Sequence, residues 1–287
     1  MSEYSVALGT FDGLHLGHMA VLGSILNGDT TPLALTFNFP PKFSVAENLL
    51  ITPKNKISRL KALGNSAEIL DFQKIKNLSP NEFLSFIYTK YSPKIITTGY
   101  NFRFGRGAEG TAQTIAEFCS NNNIEYRCTD AVLVNGEVVS SSKIRTLIAS
   151  GDLKSANQML GARFSFSGEV LHGDKRGRSI GFPTLNIPYP VELVTPKFGV
   201  YTSLTEIDGK IYKSVTDIGV RPTFKTDYVI SETNILNFDG EAYGKRATVY
   251  LVEFIRQEKL FGGLDELKYA IEQDKKIALK LLENMQI

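Results

Sequence analysis

The chain has 287 residues, 43% hydrophobic and 22% charged, a balance that supports a packed core and excludes a disordered polypeptide. Lys+Arg 32 against Asp+Glu 30 leaves a net charge of +2, too even for a dedicated nucleic-acid binder, so any phosphate site must be local. No apolar run reaches bilayer length, and the stretch from Met1 to Gly9 lacks a signal peptide's basic start and apolar core. The 2 cysteines, Cys119 and Cys128, lack metal or redox spacing. The expectation is a cytoplasmic protein whose thiols are small buried side chains.

The first half alternates strand and helix signals. Ser5 to Gly9 predicts a buried strand, followed by a glycine turn and a helix from about His18. Leu33 to Phe37 predicts a second strand, Ile57 to Leu63 a helix and Glu68 to Asp71 a short strand. Ser79-Pro-Asn-Glu82 is a capping box opening a helix with Phe83, Phe86 and Ile87. Lys94 to Thr98 predicts another strand, then a glycine-rich loop and a helix over Ile115 to Phe118. Strands spaced by helices imply a parallel sheet covered on both faces, with ligands at the strands' carboxyl ends.

After Gly161 the pattern changes. Phe164 to Leu171, Gly199 to Thr205, Lys210 to Thr216, Thr233 to Phe238 and Thr248 to Phe254 are short alternating segments. Asp208-Gly209 and Asp239-Gly240 are hairpin signals between them. Short strands without intervening helices predict a small antiparallel barrel. Leu264, Leu267, Ile271, Ala278, Leu281 and Met285 recur at helical spacing and predict an amphipathic helix packed on it. The domain boundary falls between Leu153 and Arg163, giving domains 1–157 and 158–287.

Two stretches carry chemistry. In Gly9-Thr-Phe-Asp-Gly-Leu-His-Leu-Gly-His18, two of the 3 histidines sit between glycines, after the first strand and at a helix start. Glycines let backbone approach a phosphate, a helix N-terminus offers N–H groups, and imidazoles add donors as charge builds on phosphorus. The bland alternative is a polar turn with an incidental pair. A zinc site lacks a third ligand nearby. Gly105-Arg-Gly-Ala-Glu-Gly110 matches a dinucleotide pattern, and nearly a P-loop, but Asn101 to Phe104 separate it from the preceding strand. We read it as a loop beside the site and reject an NAD-dependent enzyme.

The second stretch runs from Gly168 to Asn186. Backbone N–H groups between Gly173 and Gly181 could cradle phosphates, with charge from Lys175, Arg176 and Arg178. Thr184 and Asn186, one residue apart, share a face on a strand, where two oxygens could hold Mg²⁺ against ATP. By pattern alone, a basic hairpin tip explains this stretch equally well.

These motifs resemble a known family. Gly9 to His18 is similar to the FMN adenylyltransferase module of bacterial bifunctional FAD synthetases. Thr36-Phe-Asn-Phe-Pro-Pro41 resembles that module's flavin-site strand end, Gly99-Tyr-Asn-Phe-Arg-Phe-Gly105 its Gly-x-Asp/Asn-Phe-x-Phe-Gly motif, and Ser140-Ser-Ser-Lys-Ile-Arg145 its Ser-Ser-Thr-x-Ile-Arg segment. Gly168 to Asn186 resembles the riboflavin kinase motif, with Pro183-Thr-Leu-Asn186 for Pro-Thr-Ala-Asn. Lys197 to Tyr201, Ile218 to Thr223, Glu232 to Leu236, Tyr243 to Lys245, Ile255-Arg256 and Phe261 follow in the family's order.

The resemblance implies a Rossmann-like α/β nucleotidylyltransferase domain followed by a small antiparallel β-barrel with a C-terminal helix. It implies a multifunctional transferase making FMN from riboflavin and FAD from FMN, with ATP as co-substrate and Mg²⁺ as cofactor. His15 and His18 would hold the α-phosphate, Arg145 with Ser141 the departing pyrophosphate, and Gly9, Phe11 and Gly17 the ATP loop. Asn101 would help to place the FMN phosphate or the metal, and Phe39 would serve the flavin of the first site. In the second, Gly173, Lys175, Arg178 and Gly181 would cradle phosphates, Thr184 and Asn186 bind Mg²⁺, Glu232 act as base, and Arg256 and Phe261 cover the flavin. Expected partners are riboflavin, FMN and ATP, with no nucleic acid, no membrane and only a weak homo-oligomer. Two rivals are a tRNA-synthetase-like enzyme, for which no anticodon-binding region is visible, and a non-catalytic flavin binder, which needs fewer of these side chains.

Overall fold

Alternation in Val6-Ala7-Leu8 sets the layers of the first unit: Val6 and Leu8 enter one apolar core and Ala7 the other. The computed structural model describes residues 3–26, 29–40, 47–172, 181–221, 228–283 and 285. The chain divides into two compact units, Met1–Ser141 and Ser142–Ile287.

The first unit runs β1 (Tyr4–Leu8), α1 (Leu16–Gly23), β2 (Thr31–Thr36), α2 (Pro53–Ala62), β3 (Ser66–Ile69), α3 (Phe72–Ile75), α4 (Pro80–Tyr91), β4 (Pro93–Gly99), α5 (Ala112–Asn121), β5 (Glu125–Thr129) and the short hairpin β6 (Leu133–Val134) to β7 (Glu137–Val138). Its five-stranded sheet has the order β3-β2-β1-β4-β5, every pair parallel. Phe83, Leu84 and Ile87 of α4, with Ile115 and Cys119 of α5, pack on the Val6 face. Val21 and Leu22 of α1, with Leu60 of α2, pack on the Ala7 face. The predicted capping box is present: Glu82 N donates to Ser79 Oγ at 3.3 Å and Ser79 N to Glu82 Oε2 at 2.7 Å. Because β1 lies between β2 and β4, strand order reverses there, and the carboxyl ends of β1 and β4 open the crevice where such sheets bind ligands.

The second unit begins with α6 (Ser141–Ser150, its first residue counted with unit one) and α7 (Leu153–Leu160). It continues through β8 (Ser165–Glu169), β9 (Leu185–Pro188), β10 (Gly199–Ile207), β11 (Lys210–Arg221), β12 (Tyr228–Ile235), β13 (Arg246–Arg256) and α8 (Leu264–Leu281). The order β8-β13-β10-β11-β12-β9 is antiparallel throughout and curls into a nearly closed six-stranded barrel. Its edges meet because Gly168 has no side chain: a Cβ there would lie 2.8 Å from Ile187 Cγ2. Leu171 N donates to Asn186 O at 2.8 Å beside that contact. α7 packs on β13, where Asn157 Nδ2 donates to Leu251 O at 2.9 Å.

Four local expectations are corrected. Asp208-Gly209 turns β10 into β11, both with positive φ, but Asp239-Gly240 joins β12 to β13, which are not paired neighbours. The strand expected over Thr233 to Phe238 is β12, which ends at Ile235 because Asn237 turns left-handed. The buried stripe of α8 is Ala270, Asp274 and Ala278, while Leu264 is 62% exposed and Leu281 also faces water. Cys119 is buried, but Cys128 is exposed on edge strand β5.

Candidate functional site

The loop after β1 is held from several sides. Gly9 N donates to Leu35 O at 3.2 Å, and Thr36 Oγ1 to Thr10 O at 2.9 Å. Leu50 N donates to Asp12 Oδ1 at 2.9 Å, and Ser141 Oγ to Asp12 O at 3.0 Å. Phe11 and Leu14 both take φ 48°, a left-handed conformation costing about 1–3 kcal/mol each in non-glycine residues. Strain maintained by so many ties is a mark of functional loops. Phe11 lies in the core; its ring backs His18 edge-on at 5.5 Å and fills the space beside Gly9, where a Cβ would lie 2.7 Å away.

His15 caps α1, and its Nδ1 accepts from His18 N at 3.3 Å. In a neutral ring that leaves the proton on Nε2. The two imidazoles stack with centroids 3.6 Å apart, and Gly17 lets His15 lie close, its absent Cβ 3.2 Å from the ring. His15 is only 6% exposed, yet it sits in a polar loop and not in either apolar cluster. Burial, then the neighbouring His15 and Lys56, holds His18 well below its ordinary pKa, so its ring is neutral near pH 7. His18 Nδ1 is buried without a hydrogen-bond partner among the described residues. The sheet topology therefore sets a stacked imidazole pair beside the first turn of a helix, whose leading N–H groups have no partners within it.

Asn101 is exposed just beyond the end of β4, in the turn where Phe102 N donates to Gly99 O at 3.0 Å. Phe39 is half-buried beyond β2. Arg145 is half-buried on α6, one turn after Ser141. The glycine-rich decoy is a loop tied across itself: Phe104 and Gly110 exchange backbone hydrogen bonds, and Gly105 lies against Pro80. Gly105 and Gly110 serve packing, and Gly107 serves a turn at φ 65°.

In the barrel, Asn186 stands opposite Glu232, Glu232 opposite Asp217, and Asp217 and Arg256 each opposite Val200. Directly opposed residues share a face, so these polar groups form one row across five strands. Thr184 is half-buried one residue before β9. Asn186 is 6% exposed, and its Oδ1 has no hydrogen-bond partner among the described residues. Leu185 pairs with Thr233 and faces the other side of the sheet, so the bulkier residue leaves this row unobstructed. Gly181 takes φ 89°, and a Cβ there would meet nothing within 4 Å; its backbone requires the glycine. Gly173, Lys175, Arg176 and Arg178 lie outside the described residues.

Arg256 and Phe261 come together, the guanidinium 5.7 Å from the ring centroid. Arg256 also makes a two-pronged bond to Asp274 on α8, with Nε to Oδ1 at 3.0 Å and Nη2 to Oδ2 at 2.7 Å. This pairing explains the carboxylate in that helix's buried stripe. Sequence reasoning missed Asp217. Burial, then Glu258 and Glu232, pushes its carboxyl up to about 7, and its Oδ1 has no hydrogen-bond partner among the described residues. Only strand register reveals that it stands beside Glu232. Lys56, buried beneath the first loop, was missed as well.

Residues 1–143 match the family described as FAD synthetase and residues 160–282 the family described as riboflavin kinase. The bifunctional riboflavin kinase/FMN adenylyltransferase of Bacillus subtilis is 32% identical over 98% of this chain and 93% of its own. The Escherichia coli K12 protein of the same description is 30% identical over 94% and 90%. A Streptococcus pneumoniae crystal structure described as a macrolide-efflux protein superimposes with a TM-score of 0.89 at 28% identity, over 99% of this chain and 95% of that one. Among the described residues no helix is long and apolar enough to cross a membrane. Near-full-length similarity to several enzymes with both activities, together with the two ordered family matches, means that this chain belongs to the bifunctional riboflavin kinase/FMN adenylyltransferase family.

Proposed function

We propose that this chain makes FAD in two ATP-dependent steps: the barrel unit phosphorylates riboflavin, and the sheet unit transfers AMP to the resulting FMN. The observation that carries the reading is the pair of separate polar constellations, one at the sheet's switch point and one along the barrel row, each within its own family match. We place the functional division at 157/158, with α6 supplying Arg145 to adenylyl transfer.

In the sheet unit, Gly9, Phe11 and Gly17 shape the ATP loop, and His15 and His18 donate N–H groups to the α-phosphate as the FMN phosphate attacks. The neutral His18 ring meets an anion without the repulsion of two adjacent imidazolium ions. Arg145, with Ser141 at the start of its helix, neutralises the departing pyrophosphate. Asn101 and Phe39 place the flavin nucleotide. No covalent intermediate on the protein is needed; positioning and charge stabilisation supply the catalysis.

In the barrel unit, Glu232 takes the proton from the ribityl hydroxyl that attacks the γ-phosphate. Asn186 Oδ1 and Thr184 Oγ1 would hold Mg²⁺, which when bound offsets negative charge on the phosphates. Gly173, Lys175, Arg178 and Gly181 would cradle those phosphates, and Phe261 with Arg256 would cover the flavin. Incubation with riboflavin, ATP and Mg²⁺, followed by separation of products, should give FMN first and FAD second. Neither product, with both substrates bound, would favour a non-catalytic flavin binder.

A further inference from the structure

Lys56 is the buried cation that the sequence hides. It lies on α2, in a helix otherwise rich in exposed polar residues, yet is only 1% exposed. Its Nζ donates to Thr10 O at 3.0 Å and also to Phe37 O. These two carbonyls belong to different parts of the adenylyl-transfer site. Thr10 is in the loop leading to His15 and His18, after β1; Phe37 follows β2 and opens the segment that carries Phe39. Its charge also reaches two side chains of the loop: Asp12 interacts with Lys56, and Lys56 with His18. Burial, partly offset by the charge of Asp12, brings the amine down to about 8, so it remains largely protonated at neutral pH. A buried lysine that merely completed a core would be costlier than an apolar side chain of similar length. This one uses its charge to fasten two strand ends.

We propose that Lys56 is a positioning residue for adenylyl transfer, holding the phosphate loop through Thr10 and the flavin strand end through Phe37 so that one ammonium group sets both halves of the pocket. The inference rests on the assignment of His15 and His18 to that reaction. It separates Lys56 from Thr36, whose hydroxyl donates to Thr10 O alone of these two carbonyls, at 2.9 Å. Loss of Lys56 releases both carbonyls, whereas loss of the Thr36 hydroxyl removes one neutral bond between the same two strand ends.

The test is steady-state FAD synthesis from FMN and ATP by the full chain, with KM for each substrate, for Lys56→Met, Lys56→Arg, Thr36→Val and His18→Ala. Lys56→Met should raise KM for both ATP and FMN by about tenfold, as expected for loss of a charge-assisted hydrogen bond. Lys56→Arg should recover part of both values, and Thr36→Val should raise both by less than Lys56→Met does, since it removes one neutral bond and no charge. Riboflavin phosphorylation by the other unit should stay unchanged in all four variants. A Lys56→Met enzyme whose two KM values match the parent's, whatever its kcat, overturns the proposal. If that variant fails to fold, Lys56→Arg decides: a shift in only one KM value, or in neither, overturns it. His18→Ala separates the two levels, since FAD synthesis surviving that change defeats the underlying site assignment, whereas its loss beside a normal Lys56→Met defeats only the role of Lys56.

Discussion

Asn186 on β9 faces Glu232 on β12, residue opposite residue in the antiparallel ladder. The bond from Leu171 N to Asn186 O fixes this end of β9 from the other side. A proposed cation ligand and a proposed base are thus held one strand apart by backbone hydrogen bonds, without help from a flexible side-chain network. Glu232→Gln removes the proton acceptor and keeps the side chain's shape. It should lower kcat for riboflavin phosphorylation by about 10²–10⁴-fold while FMN adenylylation continues. Initial rates with each flavin as substrate check this, and a kinase rate within a factor of about two of the parent's would remove Glu232 from the mechanism.

The stacked imidazoles make the converse prediction. His18→Ala takes away a neutral donor and the ring on which His15 rests. FAD formation from FMN should fall by about 10²–10³-fold, the usual effect of removing one preorganised donor from a charged transition state. FMN formation from riboflavin should be unaffected. Both rates can be read from one chromatogram of the flavin products.

Asp217 predicts a pH-dependent stability. Its carboxyl rises from 3.8 to about 7 on folding, first through burial and then through the charges of Glu258 and Glu232. The folded chain therefore holds a proton that the unfolded chain releases. Stability should fall as pH rises from about 4 to about 7, and the full penalty should persist above that window. Asp217→Asn removes the ionisation, so the variant should gain Tm relative to the parent above pH 7 and lose that advantage toward pH 4. Thermal melts across this range measure it, and parallel Tm curves for the two proteins would show that Asp217 ionises normally.

Barrel closure rests on the absence of one methyl group. Gly168→Ala would push a Cβ to 2.8 Å from Ile187 Cγ2 and 3.3 Å from Pro188 O. Overpacking of this kind costs about 1–3 kcal/mol. Chemical denaturation should show the loss, with the displacement falling on β9 and hence on Asn186. A variant with parental stability would mean that the edges separate without cost.

Local signals were readable in the sequence, and long-range ones were not. The Ser79–Glu82 box and the Asp208-Gly209 turn are complete within a few residues, and both occur as expected. Asp239-Gly240 carries the same local signal but leads to a strand that pairs elsewhere, because β13 inserts between β8 and β10. Helical spacing foretold α8 but set its stripe too far toward Leu264 and Leu281; Asp274 enters the buried face only because Arg256, 18 residues earlier, bonds it. The histidine loop and the Thr184-x-Asn186 pair were visible because their chemistry is concentrated in short stretches. Lys56 and Asp217 were not, since each resembles an ordinary surface charge until α2 or the barrel ladder brings it against distant carbonyls or carboxylates.

In the proposed chemistry, ATP is attacked at a different phosphorus atom in each of the two pockets. Supplying riboflavin with ATP labelled at the γ-phosphate, and separately FMN with ATP labelled at the α-phosphate, tests it directly. The γ-label should enter FMN in the first reaction, and the α-label should enter FAD, leaving pyrophosphate unlabelled, in the second. Label from the α-phosphate released as free AMP without FAD, or FMN left unlabelled by the γ-phosphate, would contradict it.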